Sequence, residues 1–199
     1  MLTLAKLLER LKNEEDEVRK AGYNIIHRLE FFNAKKGIEY KMIEVPTVYG
    51  IELVPVVIKY RFGVHAQGYV RSDKGLVEQL WDHVFDLYVL RSYPFPLATC
   101  RLGAPIRIVW ITPIFHPNIA PGADYGGTGV VCWRAFTKWT TIMNMLNIVE
   151  GVKQLIENPD PNDPIYNPPI CLEAAEHFKR RPPPKVIAKR KTKQEQVGT

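Results

Sequence analysis

Apolar positions in the first segment recur at helical spacing. Leu4, Leu7, Leu8, Leu11 and Val18 fall on one stripe, with Glu15 interrupting it. Thr3 is placed to cap that helix and Gly22 to stop it. The other side carries Lys6, Arg10 and Lys12, then the acidic run Glu14, Glu15, Asp16, Glu17; it reads as a solvated face or as a docking face for a partner. From Asn24 to Tyr69 the period shifts towards two. Ile38 to Val45 partly alternates, Gly50 opens a β-branched run from Ile51 to Tyr60, Gly63 breaks the pattern before a run through Val70, and Ser72-Asp73-Lys74-Gly75 is a turn. Leu76 to Trp81 suits helix or loop. Val84 to Leu90 reads as a strand ended by Tyr93-Pro94-Phe95-Pro96, and Ile106 to Thr112 as another. Helical spacing returns with Met145, Ile148, Val149, Val152, Leu155 and Ile156, until Asn158-Pro159-Asp160-Pro161 stops it. Pro168 and Pro169 open a last helix with Ile170, Ala174, Ala175 and Phe178 on its apolar face. Strands followed by helices predict an α+β domain: an N-terminal helix, an antiparallel sheet of about four strands, then C-terminal helices. That domain is expected over residues 1–181, with residues 182–199 as a flexible basic tail.

Composition adds limits. The chain has 199 residues, 46% of them hydrophobic, enough to build one core. No apolar run approaches the ~20 residues needed to span a bilayer, and the N-terminus lacks the pattern of a signal peptide, so no membrane role is expected. Cys100, Cys132 and Cys171 cannot all pair, and their spacing fits no zinc pattern. Reduced thiols in a cytoplasmic protein without metal are the expectation. The net charge of +6 is concentrated: between Lys179 and Lys193 there are eight basic residues and no acidic one. The body is therefore near neutral, and nucleic-acid binding is expected only through the tail, if at all; a solubilising end is the alternative.

Chemistry concentrates between Ile106 and Ile165. His116-Pro117-Asn118 follows a strand; a Gly-rich loop leads through Gly126-Gly127-Thr128-Gly129 and Val130-Val131 to Cys132; Trp139 follows, and Asp163-Pro164-Ile165 lies beyond the helix. One Cys, His, Asn and Asp in a short span suggest a nucleophile with support. The ordered set Tyr93-Pro94-Phe95, His116-Pro117-Asn118-Ile119, Gly129-Val130-Val131-Cys132, Trp139, Pro159 and Asp163-Pro164-Ile165 resembles the ubiquitin-conjugating enzymes over roughly Val84 to Phe178. The resemblance implies that family's fold and a thioester between Cys132 and a ubiquitin-like modifier, received from an activating enzyme and passed to a lysine amine. It implies that Asn118 supports the oxyanion, through its side-chain amide or by holding the site loop. It implies a structural His116, which orders the loop, and an Asp163 that positions the lysine; a mere turn-forming Asp163 is the alternative. It implies a ligase-facing loop at Phe95, for which simple strand-end packing is the alternative; Lys6 and Arg10 on the first helix and Thr141 are further expected partner contacts, with an activating enzyme and a RING-type ligase as partners, and no cofactor is expected. Trp139 reads as core, and Cys100 and Cys171 as small buried hydrophobes.

Three departures from the family pattern stand out. Asn118 and Cys132 are fourteen positions apart, longer than the family's usual spacing, with the surplus in Ala120 to Gly127. A loop there can bulge outward without moving its ends. Trp133 follows the cysteine where an aliphatic residue is usual, and Thr140-Thr141-Ile142 lacks the proline common in the ligase-binding loop. Two other readings compete: a non-catalytic binder or scaffold, and a cysteine hydrolase using Cys132, His116 and Asp163, which needs the imidazole against the sulfur.

Overall fold

A computed structural model describes residues 1–97 and 102–183. Cys100, and the basic tail beyond its first two positions, lie outside the described residues. Helix α1 spans Leu4–Lys20; the Thr3 hydroxyl accepts from the Lys6 N–H, and Gly22 turns the chain away at φ +87°. Leu7, Leu11 and Val18 are buried as their spacing predicts. The acidic run is not a uniformly solvated face. Glu14 is buried and accepts from Arg10 and the Tyr93 hydroxyl, each at 2.6 Å, and from the Met145 N–H at 2.9 Å. Glu15 accepts from the Tyr60 hydroxyl at 2.6 Å and from Arg28 at 2.9 Å. A carboxylate leaves water only when donors replace its hydration, and these donors tie α1 to the sheet and to the next helix.

The sheet has five antiparallel strands: β1 (Asn24–Glu30), β2 (Lys41–Thr47), β3 (Gly50–Arg71), β4 (Val77–Leu90) and β5 (Ile106–Trp110). They run in the order β1-β3-β4-β5, and β2 pairs along β3. Two expectations need correction. Gly63 does not break its strand: β3 continues through it, paired to Asn24 and Val84. A Cβ there would lie 3.3 Å from the Ile26 side chain, so glycine makes room for a neighbour and the strand persists. Of Leu76 to Trp81, only Leu76 stays in the connection; Val77 to Trp81 is strand. The Ser72–Gly75 turn sets Val77 opposite Arg71, and pairing with β3 decides the state of a segment whose own pattern is ambiguous.

One face of the sheet presents Tyr60, Phe62, Phe85, Leu87, Ile106 and Trp110 to α1 and to α2 (Met145–Glu157), which contributes Ile148, Val149 and Val152. Helix α3 (Pro169–Arg180) packs Ala174 and Phe178 on Phe115, and Cys171 on Ala120 and Ile165. The opposite face is partly covered by β2, the strand off the main path. Pairing is irregular between Val56 and Ile58, and ahead of that point β3 pairs with β2 as an arm. Val45, Val54 and Val56 of the arm bury with Leu90, against Tyr88 and Val109. Arg107, only 1% exposed, reaches from β5 to Glu52 on the arm at 2.8 Å and donates to the carbonyls of Ala104 and Ile106. No helix among the described residues is long and apolar enough to cross a membrane.

Candidate active site

The segment after β5 is a hub. His116 is buried: its Nδ1 accepts from the Asn118 N–H at 3.0 Å and its Nε2–H donates to the Leu155 carbonyl at 3.0 Å. That pattern fixes one neutral tautomer, and burial pushes the ring pKa down to about 3. Both nitrogens are engaged, so the ring orders the loop and has no lone pair left for a thiol proton.

Asn118, 3% exposed, joins three segments. Its side-chain oxygen accepts from the Asp160 N–H at 2.8 Å, and its amide nitrogen donates to the Asp160 carbonyl at 3.0 Å and the Asp163 carbonyl at 2.8 Å. Its backbone carbonyl accepts from the Cys132 N–H at 2.8 Å. The neighbouring Pro117 carbonyl accepts from Ile165 N–H at 2.8 Å. Residues from two distant stretches of sequence, Cys132 and Asp160 to Ile165, are thus held by one Pro-Asn step.

The surplus between Asn118 and Cys132 closes on itself. Ile119 pairs with Val131, Ala120 N–H donates to Val130, and Gly129 N–H donates to Pro121. Inside that neck, Ala123–Tyr125 forms a short 3-10 turn, and Gly127 N–H returns to Gly122. A Cβ on Gly122 would stand 2.0 Å from the Ile111 carbonyl oxygen, so only glycine lets the loop cross there. The insertion bulges outward, and Cys132 stays bonded to Asn118.

Cys132 is half-buried and opens on a groove of about 750 Å³. The groove is walled by Val130, Pro164, Ile165, Tyr166 and the tip of the β2–β3 arm, with Asp163 on its rim. Burial pushes the Cys132 thiol up, the Asp163 carboxylate adds to that, and Arg134 opposes it. Arg134 stands 3.6 Å from Asp163 and 3.7 Å from Asp160, on the exposed side. By contrast Cys171 is fully buried, its thiol pushed up to about 12 by burial alone, so it packs and does not react. Trp133 stacks edge-on against Phe136 and lies over Gly151 of α2, where a Cβ would come within 2.3 Å of its ring.

The four residues expected at partner contacts gather around the α1 end. Lys6 and Arg10 line one groove with Ile142, which is 85% exposed. Arg10 donates to the carbonyls of Thr141 (3.3 Å) and Met143 (3.1 Å). Its guanidinium therefore braces the loop more than it reaches outward. Buried Trp139 donates to the Pro94 carbonyl at 2.7 Å, tying this loop to that of exposed Phe95. Arg134 and the arm tip were not legible as site residues. Arg134 lies two positions after the cysteine, a weak signal; the arm tip, Pro46 to Ile51, is brought in only by the sheet. Among the described residues, no group of His, Cys, Asp and Glu side chains is arranged to hold a metal ion.

Comparison with known proteins agrees with the ordered motifs. The profile of the family described as "Ubiquitin-conjugating enzyme" matches residues 81–186, just over half of the chain. "Ubiquitin-conjugating enzyme E2 T" of Bos taurus is 24% identical over 107 residues, 47% of this chain and 48% of that protein. Its Homo sapiens counterpart is 27% identical over 111 residues, 48% of this chain and 49% of that protein. The chain thus spans about half the length of the curated relatives it matches. Among solved structures, Ubc12 of S. cerevisiae superposes with a TM-score of 0.47 at 19% identity, covering 85% of this chain and 73% of that one. The E2 domain of a Toxoplasma gondii ubiquitin conjugating enzyme gives 0.40 at 17%, covering 62% and 70%.

Proposed function

The chain belongs to the ubiquitin-conjugating enzyme family, and we propose that it carries a ubiquitin-like modifier as a thioester on Cys132 and hands it to a lysine amine. The observation that supports this most is the open, half-buried Cys132 thiol beside Asp163, both tied to Asn118. In the first step the Cys132 thiolate attacks the thioester carbonyl that the activating enzyme presents. The carbon–sulfur bond to the activating enzyme breaks, and its departing thiolate takes up the proton that Cys132 gave to solvent. In the second step a neutral amine attacks the new thioester, the Cys132 thiolate leaves, and the amine's proton passes to Asp163 or water. An ordinary lysine has a pKa near 10.4 and is mostly charged at neutral pH. Asp163 therefore works as a positioned proton acceptor and orienting group, because its charge alone would hold the ammonium form.

Asn118 acts in this reading by holding the Asp160–Asp163 loop against the cysteine, since its side-chain donors are already used. His116 locks the same hub and takes no part in proton transfer. That also weighs against a cysteine hydrolase, which needs a ring nitrogen free to face the sulfur. The end of α1 with Lys6, Arg10, Phe95 and Thr141 is the proposed contact for the activating enzyme and a RING-type ligase.

The deciding experiment incubates the chain with an activating enzyme, ATP and a ubiquitin-like protein. The expected product is an adduct destroyed by reductant, absent in Cys132→Ala and reductant-resistant in Cys132→Ser, where an ester replaces the thioester. Binding without an adduct would instead identify a non-catalytic member.

A further inference from the structure

The Cys132 groove has a wall that the family motifs do not supply. Thr47, Val48, Tyr49, Gly50 and Ile51, the tip of the β2–β3 arm, stand across it from Val130, Pro164 and Ile165. The arm is held in place: its valines are buried against Leu90 and Val109, and Glu52, next to Ile51, bonds the buried Arg107 of β5. The tip itself is a tight turn, with the Thr47 hydroxyl accepting from the Tyr49 N–H at 3.1 Å and donating to the Gly50 carbonyl at 2.9 Å. Despite this anchoring, Ile51 is 69% exposed and Val48 is 37% exposed, both at the tip of the arm. An apolar side chain fixed by a rigid support, and left open beside a nucleophile, marks a surface that another chain covers.

We infer that the arm tip, through Ile51 and Val48, is the specificity wall for the modifier's C-terminal tail. It selects tails whose residues just before the reacting carboxyl are apolar or small, and it disfavours acidic ones. The inference rests on the thioester reading of Cys132 and extends it to the substrate. The occupant follows from continuity: the same groove that the arm walls contains the sulfur, so a chain bonded to that sulfur runs along the wall. The selection follows from charge. Among the described residues lining the groove none is basic and Asp163 is the one acid; its partner Arg134, 3.6 Å away, stands on the exposed side and outside the lining. An acidic side chain in the tail would lose water against Ile51 and Val130 and would face another carboxylate. An apolar one would cover Ile51 instead, and side-chain differences of that kind in an apolar site are worth ten-fold or more in selection.

Short peptide thioesters test this without knowledge of the modifier. Two hexapeptides ending in Gly-Gly, one with leucines and one with aspartates at the two preceding alternate positions, are supplied as thioesters of a small alkyl thiol. Attack by Cys132 releases that thiol and adds the peptide mass at Cys132. On the native chain the leucine peptide is expected to half-saturate at roughly a tenth or less of the concentration of the aspartate peptide. In Ile51→Lys the preference should vanish or invert, through half-saturation and not through the rate at saturation; Ile51→Ala, a milder change, should narrow it. Equal half-saturation for both peptides on the native chain, or an unchanged preference in both variants, overturns the wall while leaving Cys132 as the acyl carrier. No peptide mass at Cys132 with any probe overturns the carrier reading itself and the wall with it.

Discussion

Asn118 offers the sharpest test, because its two suggested roles predict different measurements. A direct oxyanion donor would leave stability alone and cost about 2.7–4 kcal/mol of barrier when removed, roughly 10²–10³ in rate. A loop-holding residue predicts a loss of stability first. The side chain makes three bonds, accepting from the Asp160 N–H and donating to the carbonyls of Asp160 and Asp163, all between 2.8 and 3.0 Å. An amide carries two N–H hydrogens, and two carbonyls take them, leaving none for an oxyanion. At about 1 kcal/mol net per bond, Asn118→Ala should cost about 2–3 kcal/mol, slightly less than the full sum because the freed loop can reach water. Asn118→Asp should cost at least as much, since it sets a buried carboxylate against two carbonyl oxygens. In urea unfolding followed by tryptophan fluorescence, with a slope of about 2 kcal/mol/M, the midpoint should fall by about 1–1.5 M. Discharge of a preformed thioester to free lysine should slow as well, because Asp163 is released with the loop. A midpoint moved by less than about 0.25 M alongside a 10²-fold rate loss would refute the reasoning and restore the direct role.

The charges around Cys132 make a pH prediction whose sign is fixed. Asp163 pushes the thiol up and Arg134 pulls it down, so Asp163→Asn should raise Cys132 alkylation by iodoacetamide at pH 7.5, and Arg134→Gln should lower it. Both side chains are more than half exposed, so each change should be about two- to threefold and should shrink in high salt; peptide mapping assigns the modified cysteine, and an inverted order would show that the charges do not act on the sulfur. The native rate should keep rising through pH 9, because burial holds the thiol above its usual value. Gly151→Ala should reverse the usual helix rule: alanine ordinarily adds about 1 kcal/mol of stability inside a helix, but here the new Cβ would meet the Trp133 ring at 2.3 Å. The variant should be less stable than the native chain in urea and should slow acyl transfer to Cys132 by displacing the adjacent Trp133; a gain in stability would refute the contact.

Much of this architecture was legible because local signals agreed with one another. Thr3 and Gly22 bound α1, the Pro-rich step after Glu157 ends α2, and the apolar stripes of α1 and α2 face the sheet as their spacing predicts. His116, Asn118, Cys132 and Asp163 could be chosen by residue type and order, and the structure brings the last three to one loop cluster around Asn118. What was not legible depends on pairing across long stretches of sequence. Gly63 looks like a breaker until Ile26 is set beside it; Glu14 looks solvated until Tyr93 and Met145 arrive with donors; Leu76 to Trp81 has no strong period until β3 sets its register. The arm is the largest case. Its inner residues Ile43, Val45 and Val54 alternate like any half-buried strand, and the packing on Leu90, Tyr88 and Val109, with Glu52 on Arg107, shows that the buried side is a second sheet face rather than the main core.

The raised pKa of Cys132 invites the objection that a carrier should favour its thiolate. For a residue that must hold an acyl group, the balance runs the other way. Each unit of upward shift removes about nine-tenths of the thiolate at a pH well below the pKa, but the remaining thiolate is a better nucleophile, by about threefold if the dependence seen for thiol exchange applies. The net cost to charging is then about three- to fourfold per unit, a loss that an activated thioester donor can tolerate. The benefit falls on the charged state, because a thiolate of higher pKa leaves more slowly, and water finds the ester less easily expelled. Burial, the largest cause of the shift, and Asp163, the second, are also features of the groove, and on the proposed thioester reading Asp163 is the acceptor for the amine's proton. On the same reading, desolvation favours the neutral, attacking form of an entering amine, and Asp163 would accept the proton it sheds. If Cys132 is the proposed acyl carrier, the same two features slow wasteful loss while no acceptor is present and assist transfer once one arrives, so that Asp163→Asn should charge faster and discharge to lysine more slowly than the native chain.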